Sequence, residues 1–439
     1  MRTILRHRHL LLVLAVLAPR MIWFLLLGGS LPTPVRDQAI YISAAGRMLQ
    51  GEGLSFSREI GWLRSRMATE EVFSSSWTRD PGYVFGMVPT ETPTASIEPG
   101  YPLLLASAIA LTGPSTGGVF LLNCIFALVG AWAVLKLVED NWGERQGMLA
   151  ALIWSVYPFY IYYSAYAMTE MVHAAMLPLL MLLTSRAVSG RHYGLASGLA
   201  TGFLFLVRST AIFILPLQMA WLFWRKRWKQ SLMVACGFIV CCVPWMVRNQ
   251  AKLGSPVLLP TKGALNLWMR NNPRMLEIEG IGIPDFISEG LNRTELLDYP
   301  DMDGVSGELE RSGMIGDRAR EFILANPMLL AYLTLARGWS FLSPLGGTLD
   351  HPLAAMAGLL IYLPLLVISL MEFARRRKDP EVLLLACLFL VYLAVHSLAH
   401  GGVRYRLPVD MVLIVLFSLF AGRKLGWEPP SLPSKGEAS

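Results

Sequence analysis

Apolar stretches long enough to cross a bilayer recur along the chain, separated by short charged joints. Leu10 to Gly28 is the first; Pro32 and Pro34 then end the helix ahead of a polar segment that lasts to about Ile97. Further apolar runs cover Thr116 to Val138, Met148 to Tyr163, Ala165 to Leu183, Gly194 to Leu206, Ala211 to Trp224, Leu232 to Val247, Ala354 to Glu372, Val382 to His396 and Val409 to Ala421. A hydrocarbon core about 30 Å thick takes roughly 20 apolar residues per helix, so these runs predict membrane spans. Tyr101 to Thr112 is also apolar, but at about a dozen residues it is short for a crossing and reads as an interfacial or re-entrant helix.

Basic clusters fix the topology this pattern allows. Arg145, Arg186 to Arg191, Arg225 to Lys229, Arg375 to Lys378 and Arg423 with Lys424 fall on one side only if Tyr101 to Thr112 does not cross separately. By the positive-inside bias that side is cytoplasmic, with both termini. The basic start at Arg2, Arg6 and Arg8 resembles a signal peptide, yet no small-x-small cleavage site follows, so the first run is expected to stay as a span.

The expected fold class is therefore an all-α polytopic membrane protein with about ten transmembrane helices and two large outer-face loops carrying interfacial helices. The expected organisation is a single transmembrane domain over 1–430: first span 10–30, first outer loop 31–98, interfacial helix and spans two to seven 99–247, large outer loop 248–352, last three spans 353–422. A polar cytoplasmic tail, 423–439, follows. The large loop is polar to about Asp317 and then amphipathic around Leu329 to Phe341, which suggests a lid on the membrane surface. Its Trp268, Trp339 and Phe341 argue against disorder.

Composition agrees: 439 residues at 54% hydrophobic and 16% charged make lipid the main solvent. The net charge of +7 lies at span ends and does not form a nucleic-acid patch. Cys124, Cys236, Cys241, Cys242 and Cys387 sit in apolar segments without disulfide or metal spacing. No Walker loop, Rossmann fingerprint, nucleophile elbow or zinc motif is present, which disfavours soluble nucleotide substrates.

A few charged residues stand where apolar surroundings make them costly. Asp37 opens an amphipathic helix just beyond the first span. A helix cap and a general base are both open to it, since each uses the ionised form. Glu170 lies at the outer mouth of the fourth span, as a hydrogen-bonded structural acid or a site residue. Arg208 sits in an apolar hairpin with no acid nearby in sequence, so something anionic should face it. Arg404 and Arg406 lie at the outer mouth of the last span, against the charge bias, where they could fork onto a phosphate or snorkel as anchors. Glu98, in Glu98-Pro99-Gly100-Tyr101-Pro102, is a substrate or metal ligand or a helix-start acid. His396 and His400, an i, i+4 pair without a third ligand, read as structural.

Taken in order, these stretches resemble the GT-C membrane glycosyltransferases, in particular the family 39-like bacterial proteins related to protein O-mannosyltransferases and aminoarabinose transferases. Asp37-Gln38-Ala39-Ile40-Tyr41 followed by Leu49 to Phe56 resembles the first-loop acidic motif, and Glu98 to Leu105 the Pro-Gly-Tyr-Pro-Leu segment. Tyr157-Pro158 through Thr169-Glu170 is similar to the junction of the third and fourth spans. Pro244 to Asn249, Asn266-Leu267-Trp268 and Asn271-Asn272-Pro273 resemble the start of the large outer loop, and Arg404 to Pro408 the C-terminal signature. The likeness runs from Leu10 to Leu419, through short landmarks at family-like intervals.

The resemblance implies inverting transfer of a sugar from a polyprenyl-phosphate donor to a glycan, lipid or protein acceptor, at the outer face of the inner (plasma) membrane. It maps Asp37 onto the catalytic aspartate and Arg208, with Arg404 and Arg406, onto the donor phosphate. Glu98, Tyr101 and Glu170 fall to substrate binding. Many relatives have a second acid after the aspartate where this chain has Gln38, which leaves a divalent metal and the way the acceptor is held open. Two other readings share the lipid-linked substrate: a flippase or transporter of polyprenyl-linked glycans, for which no inverted repeat is evident, and an O-antigen ligase or polymerase, which does not need the Asp37 motif.

Overall fold

The computed structural model describes residues 7–29, 37–56, 83–84, 88–89, 91–113, 115–278, 282–345 and 352–427. Most of the expected first outer loop and the tail beyond Trp427 lie outside them. Each expected span contains helix, though some are interrupted. The first, α1 (Arg8–Leu26), leads to α2 (Asp37–Leu49), and a two-residue antiparallel pair, β1 (Tyr83–Val84) and β2 (Val88–Pro89), follows. Next come α3 (Gly100–Thr112), α4 (Thr116–Trp142), α5 (Glu144–Val156), α6 (Pro158–Tyr163), α7 (Glu170–Ala187) and α8 (Arg191–Val207). A 3-10 turn, Ser209–Phe213, leads into α9 (Ile214–Trp224) and α10 (Trp228–Leu253).

The large loop, 248–352, expected on the outer face, carries α11 (Lys262–Asn271), α12 (Pro273–Ile278), α13 (Asp285–Ser288), α14 (Glu308–Ala325) and α15 (Pro327–Leu342). The bundle closes with α16 (Pro352–Ala357), which runs through a π turn into α17 (Leu363–Arg376), then α18 (Pro380–Leu398), α19 (Val403–Arg406) and α20 (Asp410–Lys424).

Among the described residues, six helices are long and apolar enough to cross a membrane: α1, α4, α10, α16–α17, α18 and α19–α20. The other expected spans are shorter or interrupted. Pro158 divides α5 from α6, and the chain breaks again between α8 and α9. α3, at 13 residues, is about 20 Å long, too short to cross and packed against α2, α4 and the end of α8. Leu14, Ile22, Leu121, Val240 and Leu390 are exposed on the bundle's outside, apolar surface that suits lipid.

The two ends of the bundle differ chemically. Arg8 pairs with Glu139 (3.2 Å) and Glu144 (2.6 Å), Arg186 with Asp140 (2.7 Å), Arg225 with Glu381 (3.0 Å) and Arg423 with Glu372 (3.0 Å), gathering the basic clusters at one end. Asp37, Glu98, Glu170, Arg208 and Arg404 lie at the other.

α8 and α10 are in backbone contact. A Cβ on Gly198 would fall 2.0 Å from the Val234 carbonyl oxygen, and one on Gly237 would fall 2.5 Å from that of Leu195; Gly194 and Gly202 are similarly crowded. Small residues one turn apart let two membrane helices touch where larger ones would hold them apart. Gly198→Val should therefore lower the thermal midpoint in detergent by the equivalent of about 3 kcal/mol, the upper range for overpacking. Gly117→Ala, which meets only the Ser115 hydroxyl at 3.5 Å, should leave it unchanged.

The large outer loop has a core of its own. Ile40, Ala44, Leu54, Phe56, Ala95 and Ile97 from the first loop bury against Trp245, Leu265, Trp268 and Ile315. A second cluster joins Leu276, Ile287, Leu296, Phe322, Leu329 and Leu333. α15 follows the expected amphipathic pattern: Leu329, Leu333, Arg337 and Phe341, four apart, form its buried face against α18.

Candidate functional site

Apolar helices stop where backbone groups find other partners, and at the end of the bundle opposite the basic clusters charged side chains supply them. α8 ends at Val207 with Arg208 extended (φ −155°, ψ 113°), and the chain resumes as a 3-10 turn. The freed N–H of Ser209 donates to Glu98 Oε1 at 2.6 Å. Irregular backbone at membrane depth needs such a partner. Glu98 thus splints the break beside Arg208, and Gly100 permits the approach, since a Cβ there would meet the Leu206 carbonyl oxygen at 2.6 Å. The Glu98-Pro99-Gly100 stretch is accounted for by this joint. Tyr101, expected at the substrate, is fully buried, its ring edge-on to Tyr41 at 5.1 Å.

Beyond the joint runs a chain of alternating charges. Arg208 Nη1 donates to Glu170 Oε1 (3.1 Å) and Thr169 Oγ1 (3.0 Å). Arg404 Nε donates to the same Glu170 oxygen, and its Nη2 donates to Asp37 Oδ2 at 3.3 Å. Lys262 Nζ donates to Asp37 Oδ1 at 3.1 Å. The rings of Tyr405 and the two arginines are close, at 5.5 Å from Arg208 and 5.7 Å from Arg404.

Glu170 forms the floor, fully buried, whereas Asp37 at the mouth is 32% exposed. The Lys262 ammonium, opposing the cost of burial and reinforced by Arg404, holds the Asp37 carboxyl well below the usual carboxylate range. Burial raises the neighbouring Tyr41 phenol, which therefore stays neutral.

Asp37, Glu170, Arg208 and Arg404 are thus brought together from α2, α7, the break after α8 and α19, separated by up to 367 positions in sequence. Arg406 is not among them. It is fully buried and turned the other way, its Nε on Asp410 Oδ1 (3.1 Å), its Nη1 on the Phe341 (3.1 Å) and Ser343 (2.9 Å) carbonyls. Its guanidinium lies over the Tyr362 ring at 3.3 Å. The expected arginine pair is therefore split: residues two apart on a helix point about 200° apart, so one faces the mouth and the other the core.

Two residues went unnoticed in the sequence reading. Lys262 lay in a polar loop without pattern, 225 positions from its partner. Arg20 sits inside α1, fully buried, donating to the Val16 and Ser155 carbonyls at 2.8 Å, a structural cation in the first span.

Among the described residues the donor set at the mouth does not suit a divalent cation. Asp37 already has Lys262 and Arg404 within 3.3 Å, and the Gln38 side-chain carbonyl accepts from the Ala167 N–H at 3.2 Å. Among the described residues, two cations already lie against the carboxylate at the mouth and oppose a third. Among the described residues no group of three or more His, Cys, Asp or Glu could hold a metal. His396 stacks on Phe341 (6.0 Å) and lies 5.2 Å from Tyr405, and His400 packs on Tyr405, as aromatic packing.

Comparison with known proteins agrees with this architecture. The family model for dolichyl-phosphate-mannose-protein mannosyltransferases matches residues 93–247. No curated protein matches by sequence. Among solved structures, the oligosaccharyltransferase of Archaeoglobus fulgidus tethered to an acceptor peptide containing the NVT sequon is similar over 97% of this chain and 51% of its own (TM-score 0.54, 13% identity). The oligosaccharyltransferase AglB of the same organism, solved with an inhibitory peptide and a dolichol-phosphate, gives 97% and 51% (TM-score 0.52, 14% identity). ArnT from Cupriavidus metallidurans in the apo state gives 94% and 61% (TM-score 0.50, 14% identity). The chain therefore spans about half to three-fifths of the length of these structures. The likeness is one of fold, shared with these oligosaccharyltransferase and ArnT structures.

Proposed function

We propose that this multi-pass membrane protein, with its GT-C fold, is an inverting glycosyltransferase that moves a sugar from a polyprenyl-phosphate donor to an acceptor hydroxyl or amine. The observation that carries the reading is the run Asp37–Arg404–Glu170–Arg208, an ionised carboxylate at the mouth with two guanidiniums behind it. Among the described residues Arg208 and Arg404 leave several N–H donors unused, and a guanidinium fork suits a phosphate.

In this reading the acceptor's oxygen or nitrogen attacks the anomeric carbon from the face opposite the phosphate. Asp37 takes the proton, and the carbon–oxygen bond to the carrier breaks with its electron pair on the phosphate, where Arg208 and Arg404 stabilise it. Positioned general-base help is typically worth 10² to 10⁴ in rate, and preorganised charge at the leaving group adds to it. Glu170 keeps the two arginines together; Glu98 and Tyr101 support the site from behind. Arg406 takes no part in phosphate binding.

The site belongs on the outer face, since the basic clusters gather at the opposite end and are drawn to the cytoplasm, with both termini. A lipid carrier fits the location: its tail stays in the bilayer while its phosphate reaches the bundle end. The two matched proteins whose solved structures hold a peptide leave a protein acceptor beside glycan and lipid ones.

The test is transfer from a panel of radiolabelled polyprenyl-phosphate sugars to host membrane extract by purified protein. Label moving into acceptor identifies the donor; no movement from any donor, with folded protein, would overturn the reading.

A further inference from the structure

Lys262 is the feature the reaction does not yet use. It opens α11 on a segment that leaves α10 through Gly254, whose left-handed backbone (φ +74°) turns the chain back over the site. Its backbone is pinned from several sides. The Thr261 N–H donates to the Ala95 carbonyl (3.0 Å), the Thr261 hydroxyl to Glu308 Oε1 (2.5 Å), and the Ser312 hydroxyl to the Thr261 carbonyl (2.9 Å). Glu308 Oε1 also accepts from the Ala95 N–H at 3.1 Å. Arg248, in the last two turns of α10, donates to the Thr94 (2.7 Å) and Leu54 (3.0 Å) carbonyls. The platform is fixed, and from it the lysine reaches Asp37 as a point charge on a four-carbon stem.

Its ammonium rests on Asp37, which also takes Arg404. A carboxylate with two cations against it is a poor base, because the proton it should accept competes with both. The phosphate of an incoming donor competes for the same cations, and an ammonium on a flexible stem moves more readily than a guanidinium tied to Glu170.

We infer that Lys262 is an exchangeable cation: it neutralises Asp37 in the empty site and passes to the donor phosphate on binding, so that donor binding itself frees Asp37 as the base. The inference rests on the reading of the site as a lipid-phosphate-linked sugar transferase. With the lysine on the phosphate, the acceptor proton goes to Asp37. The new bond to the anomeric carbon forms, and the electron pair of the broken bond ends on a phosphate that Lys262 and Arg404 already hold.

Linkage makes this measurable without turnover, since Asp37 and phosphate then oppose each other's binding. The probe is farnesyl phosphate, with farnesol as the uncharged control, titrated into full-length protein in nanodiscs. Asp37→Asn should tighten farnesyl phosphate about tenfold and Lys262→Met weaken it about tenfold. Lys262→Arg should retain most of the affinity, and the gain from Asp37→Asn should shrink when combined with Lys262→Met. Farnesol binding should not change.

In transfer assays the acid limb of kcat/KM should move up in pH in Lys262→Met, because Asp37 loses the neighbour that most depresses its protonation. A lysine that only holds the loop in place would leave that limb where it is. Unchanged or weaker farnesyl phosphate binding in Asp37→Asn, or no binding by the wild type, would overturn the inference, even if Lys262→Met fails to fold. Coupled binding without sugar transfer from any donor would instead sink the transferase reading and leave the exchange standing.

Discussion

Asp37→Asn should yield a folded protein whose sugar transfer falls by about 10³ or more, the upper range for loss of a positioned general base. Asparagine keeps the shape, but its single acceptor oxygen can serve only one of Lys262 and Arg404, and it takes no proton. The stability cost should be small, since the pair at the mouth is partly exposed and such ion pairs contribute about 1 kcal/mol or less. Turnover in detergent, beside an unchanged elution profile and thermal midpoint, checks both halves. A variant retaining a tenth of wild-type turnover would move the base elsewhere, and Glu170, whose Oε2 is buried without a described partner, would be the next to test. The wild-type kcat/KM should hold well into mild acid, because in the donor-free site Asp37 protonates only far below the ordinary carboxylate range.

The second large effect separates two arginines that stand two positions apart. Arg404→Lys should cut turnover about 10²-fold with little change in stability: one ammonium cannot bridge Asp37 and Glu170 and still present a fork to phosphate. Arg406→Lys should do the reverse. Its guanidinium satisfies Asp410 and two backbone carbonyls in the core, and Tyr157 donates to Asp410 at 2.8 Å. Breaking up such a buried group costs about 3 kcal/mol or more. The thermal midpoint should drop while turnover per folded molecule stays near wild type. If turnover fell equally in both variants, the division of labour would be wrong.

That division also marks how far the sequence could be read. Asp37, Glu170, Arg208 and Arg404 were legible because a charge at the end of an apolar run demands a reason, and the structure supplies one by joining them. Arg406 sits in the same short motif and carries the same charge; only the helical start at Val403–Arg406 reveals that its side chain points into the core. Glu98 was visible as an acid beside a proline, but its partner, a backbone N–H released by a helix break 111 positions later, leaves no trace in composition. Lys262 was one loop lysine among others until the fold carried it to Asp37. Spans were legible as apolar runs, whereas the break at Pro158 and the shortness of α9 depend on packing that hydropathy does not encode.

The glycine contact between α8 and α10 gives the molecule a fixed frame of reference. Arg208 follows directly on one helix and Arg248 lies in the last turns of the other, beyond a stretch where backbone touches backbone. Any change in distance from that block to the Lys262 backbone must then arise in the connection after α10, and any further change to its ammonium in the side chain. A pair of spectroscopic labels, one on the lipid side of α10 and one in that connection, would read the connection's displacement alone, with the bundle serving as the ruler.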